Sequence, residues 1–246
     1  MNTPVITFRN VTKNYTLYHG LTGGFKNFLF RLPKAIKQIR DSKYCVLKEI
    51  SFEVNSGETV GIIGRNGAGK STLLGLMAGV LSPSSGTVEV KGKVAPLLEL
   101  GGGFHPDLTG IDNIILNGVL LGLSRKEVAH KISAIIKFAD LGGYITQPIR
   151  TYSSGMLARL GFSVAAHLEP EIILLDEVLA VGDADFQKKC MNKIQEFRQS
   201  GVTIVYISHS MDSVREICDR AIWIEDHRVK MTGDAVTVTK AYQSCN

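Results

Sequence analysis

The apolar positions of the chain first indicate strands. "VITFRNV" and "VLKEISFEV" alternate between apolar and polar residues, which predicts half-buried strands. The apolar end of "SGETVGIIG", and the runs "EIILLD" and "VTIVYIS", predict short buried strands. Four further short strands are predicted at "TVEV", "VAPLLEL", "AIWIED" and "RVKMTG".

Other stretches have the spacing of helices. "KSTLLGLMAGVL", residues from about 185 to 199, and "MDSVREIC" each repeat apolar residues every three to four positions. Residues from about 104 to 168 are predicted to be mostly helical and to form a helical subdomain. Because strands and helices alternate along the chain, we predict an α/β fold with a parallel sheet.

The two ends of the sequence carry no predicted domain or membrane segment. The start, "MNTPVITFRN", does not have the pattern of a signal peptide, and no apolar run is long enough to cross a bilayer. The final predicted strands are followed by only "DAVTVTKAYQSCN", whereas domains run to about 50 residues or more. We therefore expect one domain over residues 1–246, with any membrane-spanning part on another chain.

Composition adds a charge signal. The chain has 246 residues, a net charge of +5 and a sequence pI near 9.0. Residues 16–44 contain six cations and one anion, so this segment alone accounts for the net charge. A basic excess suits nucleic acid, an anionic membrane face or phosphates. The four cysteines form no CxxC pair, which predicts reduced thiols in a cytosolic protein.

The basic segment is also amphipathic. In "GFKNFLFRLPKAIKQIR", residues 24–40, Phe25, Phe28 and Leu32 recur at helical spacing, and Pro33 then separates them from a second apolar pair. The cations of the segment are Lys26, Arg31, Lys34, Lys37, Arg40 and Lys43. Three interpretations stay open on the residues alone. The segment lies in a lipid headgroup layer, caps an apolar patch, or is a solvated basic face over a local core.

The clearest chemical motif is "GRNGAGKST". It fits GxxxxGK[ST] between an apolar strand and a helix, the context of a phosphate-binding loop. Glycines let backbone amides approach phosphate oxygens, and the helix N-terminus favours an anion. Lys70 would reach the β- and γ-phosphates, and the Ser71 hydroxyl would bind Mg²⁺. The motif alone indicates a nucleotide, since kinases, GTPases, motors and transporters all use such a loop. The predicted nucleotide-binding residues here are Gly64, Arg65, Asn66, Gly67, Ala68, Gly69, Lys70, Ser71 and Thr72.

Two strand ends supply candidate catalytic groups. "EIILLDE" places Asp176 and Glu177 after an apolar strand, where the first can hold Mg²⁺ and the second can align a water for attack on the γ-phosphate. "ISHS" places His209 after another strand, at the sheet edge where ligands of open α/β sheets bind. A solvated acidic strand end and a structural histidine are the alternatives.

These motifs, in this order, resemble the ATP-binding subunit of ABC transporters over nearly the whole chain. "YSSGM" stands where that family has its LSGGQ-type signature, with Ser153 and Gly155 matching while Tyr152, Ser154 and Met156 depart. The resemblance implies a P-loop NTPase (RecA-like) core, an antiparallel β subdomain and a helical signature subdomain. It implies ATP contacts for Ser153, Ser154, Gly155, for Asp183 in the D-loop, and for Tyr15 as the aromatic residue stacked on adenine.

The family glutamine that links the γ-phosphate site to the membrane subunit has no counterpart here. The corresponding stretch is "LLELGGGFHPDLTG", and the resemblance makes Glu99 the candidate, as a group near Mg²⁺. An exposed strand-end carboxylate is the alternative for Glu99.

Within that family, the chain is similar to exporters of lipid-linked polysaccharides, the O-antigen transporters of the Wzt type, in a short form without a C-terminal carbohydrate-binding domain. The similarity rests on the N-terminal insertion and on the stretches around residues 97–110 and 152–165. It implies a homodimer that binds ATP and Mg²⁺, a polytopic transmembrane subunit as partner, and a peripheral place on the cytoplasmic face of the inner membrane. The insertion would then lie close to that membrane subunit, near the entry of the lipid-linked substrate.

Other functions remain as alternatives. A teichoic-acid or capsule exporter would use the same ATPase core. A soluble ABC ATPase acting on ribosomes or DNA usually has two cores or a long coiled coil, and this chain has one core and no sustained heptads. An importer or lipoprotein-release subunit fits the insertion and the altered signature less well. We therefore expect no nucleic-acid partner.

Overall fold

The computed structural model describes residues 3–16, 43–97, 102–176 and 182–245. Three of its strands form an antiparallel sheet in the order β2-β1-β4. They are β1 (Pro4–Thr16), β2 (Lys43–Asn55) and β4 (Ser85–Val90). β1 and β2 stay paired out to Thr16 and Lys43. The Phe8 ring of β1 stacks on the Phe52 ring of β2, with the ring centroids 4.6 Å apart.

A second sheet has six strands in the order β5-β6-β7-β3-β8-β9. Its strands are β3 (Thr59–Ile63), β5 (Val94–Leu97), β6 (Ile172–Asp176), β7 (Thr203–Ile207), β8 (Arg220–Glu225) and β9 (Arg228–Asp234). All neighbouring pairs are parallel except β8 and β9, which form an antiparallel hairpin. β3 and β7 are buried along their whole length, as expected for parallel strands covered on both faces. The carboxyl ends of its parallel strands β3, β6 and β7 position the candidate site.

Seven α-helices accompany the two sheets in the described part of the chain. They are α1 (Lys70–Met77), α2 (Gly110–Leu120), α3 (Arg125–Ala139), α4 (Ser154–Ala165), α5 (Ala184–Gln199), α6 (Met211–Ile217) and α7 (Ala235–Ser244). Two short 3-10 helices, Gly142–Thr146 and Ile149–Thr151, precede α4. The predicted class is confirmed, with a parallel-sheet core, an antiparallel sheet and helices.

Helices α2, α3 and α4 share a hydrophobic cluster of their own, which includes Ile114, Ile135 and Leu160. α3 begins with a capping box in which Ser124 and Glu127 satisfy each other's backbone amides. A separate cluster supports a separate helical subdomain, although its bounds at about 104–168 stay a prediction.

Two helices differ from the sequence prediction. α1 ends at Met77, earlier than "KSTLLGLMAGVL" indicates, because Gly79 adopts a φ of +71° and ends the helix. α7 was not predicted, since its segment "AVTVTKAYQS" contains four β-branched residues, which weaken helix propensity. Tertiary contacts stabilise α7. Val238 is fully buried, and the Trp223 and Tyr242 rings meet edge to face at 5.3 Å.

Candidate functional site

The phosphate loop joins the end of β3 to the start of α1, and its shape depends on glycine. Gly64 has a φ of +153°, and a Cβ there would lie 2.3 Å from the Ile224 carbonyl oxygen. Gly69 has a φ of +100°, and its Cβ would lie 2.7 Å from the Val46 carbonyl oxygen. A side chain at either position would collide with backbone. The loop is therefore locked between β8 and β2.

Lys70 is the first residue of α1 and lies buried under the loop. Its Nζ donates hydrogen bonds to the carbonyl oxygens of Gly64, at 2.9 Å, and Arg65, at 3.1 Å. Burial lowers the pKa of Lys70, and the nearby Asp176 carboxylate partly offsets this effect. Both hydrogen bonds go to neutral carbonyl oxygens, so the ammonium is well placed to gain from an incoming phosphate.

Asp176, the last residue of β6, lines the same cavity as Ser71. Burial raises the pKa of Asp176, while Lys70, His209 and the Ser71 hydroxyl act in the opposite direction. The Ser71 hydroxyl and the Asp176 carboxylate thus provide oxygen ligands at one cavity, and oxygen is the ligand atom that Mg²⁺ prefers. Within the described ranges, no cluster of three or more His, Cys, Asp or Glu side chains is arranged to hold a metal. A bound Mg²⁺ at Ser71 and Asp176 would need phosphate and water oxygens to complete its shell.

His209 follows β7 and lies beside the same cavity. Burial lowers the pKa of His209, the Lys70 ammonium lowers it further, and the Asp176 carboxylate opposes both. A pKa below the ordinary value keeps the imidazole neutral at neutral pH. His209 can therefore donate or accept a hydrogen bond there without adding a charge.

These groups line one cavity of about 490 Å³. Its described lining consists of Tyr44, Val46, Asn66, Gly67, Gly69, Lys70, Ser71, Thr72, Asp176 and His209. The structure therefore brings together the phosphate loop, Asp176 and His209, the sequence-predicted groups at three strand ends. The sequence analysis missed Tyr44 and Val46, which lie at the start of β2.

Tyr15, the residue predicted to stack on adenine, is not among the described lining residues. It lies near the end of β1, directly across the ladder from Tyr44, and 38% of it is exposed. The Nζ of Lys13 lies 5.2 Å from the centre of its ring. Its role at the base of a nucleotide stays a prediction.

The signature stretch lies at the start of α4, and the described lining of the cavity includes none of it. Ser153 is the N-cap of α4, where its Oγ accepts a hydrogen bond from the Met156 amide at 3.2 Å. Ser154 is exposed, and Gly155 is half-buried. Roles of these residues in ATP binding stay predictions.

Tyr152 departs from the family signature for a structural reason. Only 8% of it is exposed, and its hydroxyl donates a hydrogen bond to the Tyr144 carbonyl oxygen at 2.7 Å. The hydroxyl also lies where a side chain on Gly110 would need to be, since a Cβ there would come within 2.4 Å of it. The ring thus ties the signature to the start of α2.

We predict that Tyr152→Phe destabilises the protein by about 1 kcal/mol and leaves ATP hydrolysis at the wild-type rate. The change removes one buried hydrogen bond and leaves the Tyr144 carbonyl without its donor. Urea unfolding measures the stability and phosphate release measures the rate. The matched control is Tyr144→Phe, since that side chain is exposed. A lower rate with unchanged stability would contradict a structural role for Tyr152.

Asp183, predicted as the D-loop aspartate, is the N-cap of α5 and accepts a hydrogen bond from the Phe186 amide at 2.9 Å. The Arg159 guanidinium of α4 forms ion pairs with the carboxylates of Asp183, at 3.4 Å, and Asp140, at 3.5 Å. Its Cζ also lies 4.9 Å from the centre of the Phe186 ring. Arg159 thus connects the signature helix to the D-loop. Sequence reasoning missed it, because a helical arginine four residues beyond Gly155 carries no local signal.

Three predictions fall outside the described residues. Glu177, the candidate base, directly follows the end of β6, and Glu99 follows the end of β5 by two residues. The amphipathic insertion is described only at its edges, Thr16 and Lys43–Tyr44, and its residues 17–42 lie outside. Their roles therefore rest on the sequence.

Comparison with known proteins decides the family. The family model described as ABC transporter matches residues 47–180, a span that contains the phosphate loop, the signature and Asp176. The chain belongs to the ABC transporter family. As a member of this family, it is an ABC-type ATPase that binds and hydrolyses ATP.

Relatives of this ABC ATPase include export proteins. It is 54% identical over 240 residues to an O-antigen export system ATP-binding protein of Klebsiella pneumoniae, covering 98% of both chains. It is 46% identical to an O-antigen export system ATP-binding protein of Myxococcus xanthus, covering 89% of this chain and 50% of that one. A teichoic acids export ATP-binding protein of Bacillus anthracis is 44% identical, over 96% of this chain and 42% of its own length.

Solved structures share the fold of this ABC ATPase. An ATP-binding subunit of an ABC transporter superposes with a TM-score of 0.75 at 21% identity, covering 97% of this chain and 93% of that one. A dimeric ATP-binding cassette in a post-hydrolysis state, bound to ADP and Pi, gives a TM-score of 0.73 at 21% identity, covering 94% and 98%. At this identity the likeness establishes the fold, and the roles of individual residues need the geometry above.

Proposed function

We propose that this ABC ATPase powers the export of lipid-linked O-antigen polysaccharide through a polytopic membrane subunit. The observation that carries the proposal is the 54% identity to the Klebsiella pneumoniae O-antigen export protein, spread over 98% of both chains. Identity confined to the phosphate loop and its neighbours would indicate only an ATPase. Identity along the whole length also covers the segments specific to exporters.

The active form is a homodimer with two bound ATP molecules. In this homodimer, the cavity lined by Lys70, Ser71 and Asp176 would bind the phosphates, and the signature at α4 would contact the ATP bound to the other chain. The amides at the α4 N-terminus suit the γ-phosphate of the ATP held by the partner. The signature therefore completes the site only when two copies meet.

Several residues of this chain contribute to hydrolysis, each with a different role. Lys70 neutralises phosphate charge, and Ser71 and Asp176 would hold Mg²⁺, which supplies further charge neutralisation when bound. Glu177 aligns and deprotonates the attacking water, and His209 hydrogen-bonds near the γ-phosphate. Tyr15 contacts the base, Asp183 contacts the partner chain's site, and Glu99 lies near the metal and the contact with the membrane subunit.

A peripheral place on the cytoplasmic face of the inner membrane follows from this function. In the part of the chain that the structure covers, no helix combines the length and apolar character that a bilayer crossing requires. The polytopic subunit would supply the transmembrane path. The basic insertion, with cations such as Arg31, Lys34 and Lys37, would face anionic lipid headgroups and the phosphates of the substrate.

We predict that replacing Arg31, Lys34 and Lys37 together by Gln leaves the basal ATPase rate of the isolated subunit nearly unchanged and lowers surface polysaccharide. The insertion supplies none of the phosphate-site motifs, so its charge matters for the membrane step. Phosphate release and extraction of surface polysaccharide are the two measurements. Replacing the exposed Arg125, Lys126 and Lys137 of α3 by Gln is the matched control. Loss of basal hydrolysis with normal export would reverse the assignment.

The function itself is tested by deleting the gene in its own host. Surface O-antigen should disappear while its lipid-linked precursor accumulates on the cytoplasmic side, and the wild-type gene should restore export. Normal surface O-antigen in the deletion strain would refute the proposal. If a teichoic-acid polymer accumulated instead, the function would move to that class of exporter, whose Bacillus anthracis member is 44% identical.

A further inference from the structure

The nucleotide cavity has two lining residues that the phosphate motifs do not explain. Tyr44 and Val46 line it, and both belong to the start of β2. The remaining lining carries the ammonium, hydroxyl and carboxylate groups that suit phosphates and a metal. A nucleotide has the same two halves, a flat apolar base and a charged phosphate chain.

Tyr44 is positioned by its neighbours rather than packed into the core. It is 48% exposed, and its ring meets the His227 ring edge to face, with centroids 5.8 Å apart and planes at 85°. His227 belongs to the tight turn between β8 and β9. Both turn residues, Asp226 and His227, have positive φ values of 48° and 65°, as in a type I′ hairpin turn.

That turn is fastened to β2 at two points. The Lys48 amide donates a hydrogen bond to the His227 carbonyl oxygen at 2.8 Å, and the His227 Nδ1 lies 3.0 Å from the Val46 carbonyl oxygen. The same Val46 carbonyl lies against Gly69 of the phosphate loop. The Val46 carbonyl of β2 thus contacts both the His227 imidazole and the phosphate loop. The Tyr44 ring packs against the same imidazole.

The pairing of β1 with β2 places a second aromatic residue beside Tyr44. Tyr15 and Tyr44 are direct partners in the antiparallel ladder. Side chains at directly opposite positions project from the same face of a sheet. The face that carries the residue predicted to stack on adenine therefore carries Tyr44 as well, and Tyr44 is the one that lines the cavity.

We propose that Tyr44 is a second base-binding residue of the nucleotide site, contacting the purine or ribose of ATP, and that His227 is a positioning residue that holds its ring. The proposal rests on the ATP-hydrolysing function and adds the contact that recognises the base end of the nucleotide. Aromatic stacking accepts any base, so Tyr44 adds affinity for purine nucleotides with little preference between ATP and GTP.

The test compares two ligands on the full-length chain, a non-hydrolysable ATP analogue and inorganic tripolyphosphate, which has the phosphates and lacks the base. Tyr44→Leu should weaken binding of the ATP analogue by about 10-fold and leave tripolyphosphate binding unchanged, as measured by calorimetry. Tyr44→Trp, which keeps a flat ring, should stay within about 2-fold of wild type. Tyr144→Leu, a change at another exposed tyrosine, is the matched control.

His227→Asn tests the positioning role. Asparagine tolerates a positive φ and can still hydrogen-bond the Val46 carbonyl, so the turn is kept while the ring that meets Tyr44 is lost. It should raise KM for ATP about 3-fold with kcat unchanged. A purely structural role would instead lower the melting temperature with KM unchanged, and that outcome would overturn the assignment of His227.

The remaining outcomes separate this inference from the ATPase function. If Tyr44→Leu bound the ATP analogue as tightly as the wild-type chain does, the base contact would be overturned. The ATPase function would still stand in that case, provided that the wild-type chain hydrolyses ATP. Equal weakening of the ATP analogue and tripolyphosphate would also overturn it, because the change would then act through the phosphate loop. Failure of the wild-type chain to bind either ligand would instead remove the ATPase function, and this inference with it.

Discussion

We expect Glu177→Gln to lower kcat for ATP hydrolysis by about 10²–10⁴-fold and to leave ATP affinity close to wild type. Glu177 directly follows Asp176, which ends β6 and lines the cavity beside Lys70. Its amide replacement keeps the size of the side chain and cannot take a proton from water. Release of phosphate at saturating ATP measures kcat, and calorimetry measures affinity.

The same variant gives a second readout. With ATP bound and hydrolysis blocked, the homodimer should persist, so size-exclusion chromatography in ATP should show a dimer that wild-type chains form only transiently. Glu216→Gln, a change of an exposed carboxylate on α6, is the matched control and should behave as wild type. Hydrolysis by Glu177→Gln at the wild-type rate would show that another group is the base.

Lys70→Ala has the other large effect, on binding. The ammonium is already buried against two loop carbonyls, so its charge is available to phosphate with little reorganisation. Loss of a charge-assisted hydrogen bond in such a site weakens ATP binding by about 10- to 100-fold. Calorimetry should show the weaker affinity, and the rise in melting temperature that ATP causes in the wild-type chain should shrink accordingly.

The ligand-free protein provides the check on this interpretation. Burial lowers the pKa of Lys70, so folding disfavours the charged form of this side chain relative to the unfolded chain. Lys70→Ala should therefore fold without nucleotide. Lys91→Ala, at an exposed lysine between β4 and β5, is the control. An undiminished ATP affinity in Lys70→Ala would refute the phosphate role.

The phosphate site was accessible to sequence reasoning because its parts are local. The loop between β3 and α1 contains its glycines, its lysine and its hydroxyl within nine consecutive residues, and strand and helix flank it directly. Asp176 and His209 were found by a topological rule, since the carboxyl ends of parallel strands meet at one edge of the sheet. The structure places all three at one cavity.

Other residues of the site had no such local signal. Tyr44 reaches the cavity because β1 and β2 pair in one register, and the rings of Tyr44 and His227 meet across 183 residues of sequence. The partners of Arg159 lie on α3 and α5, and the buried hydroxyl of Tyr152 explains a departure from the family signature that the motif alone left unaccounted for.

The sequence by itself therefore determined the α/β class, the phosphate-loop motif and the convergence of Asp176 and His209 on it, because these depend on short-range spacing and on the rule that parallel strands end together. Tertiary structure decided the early end of α1, the existence of α7, and which of the two tyrosines, Tyr15 or Tyr44, is among the described residues that line the cavity. Each of these depends on contacts between residues far apart in the chain. Such contacts arise from strand register and core packing, which no local pattern of residue types encodes.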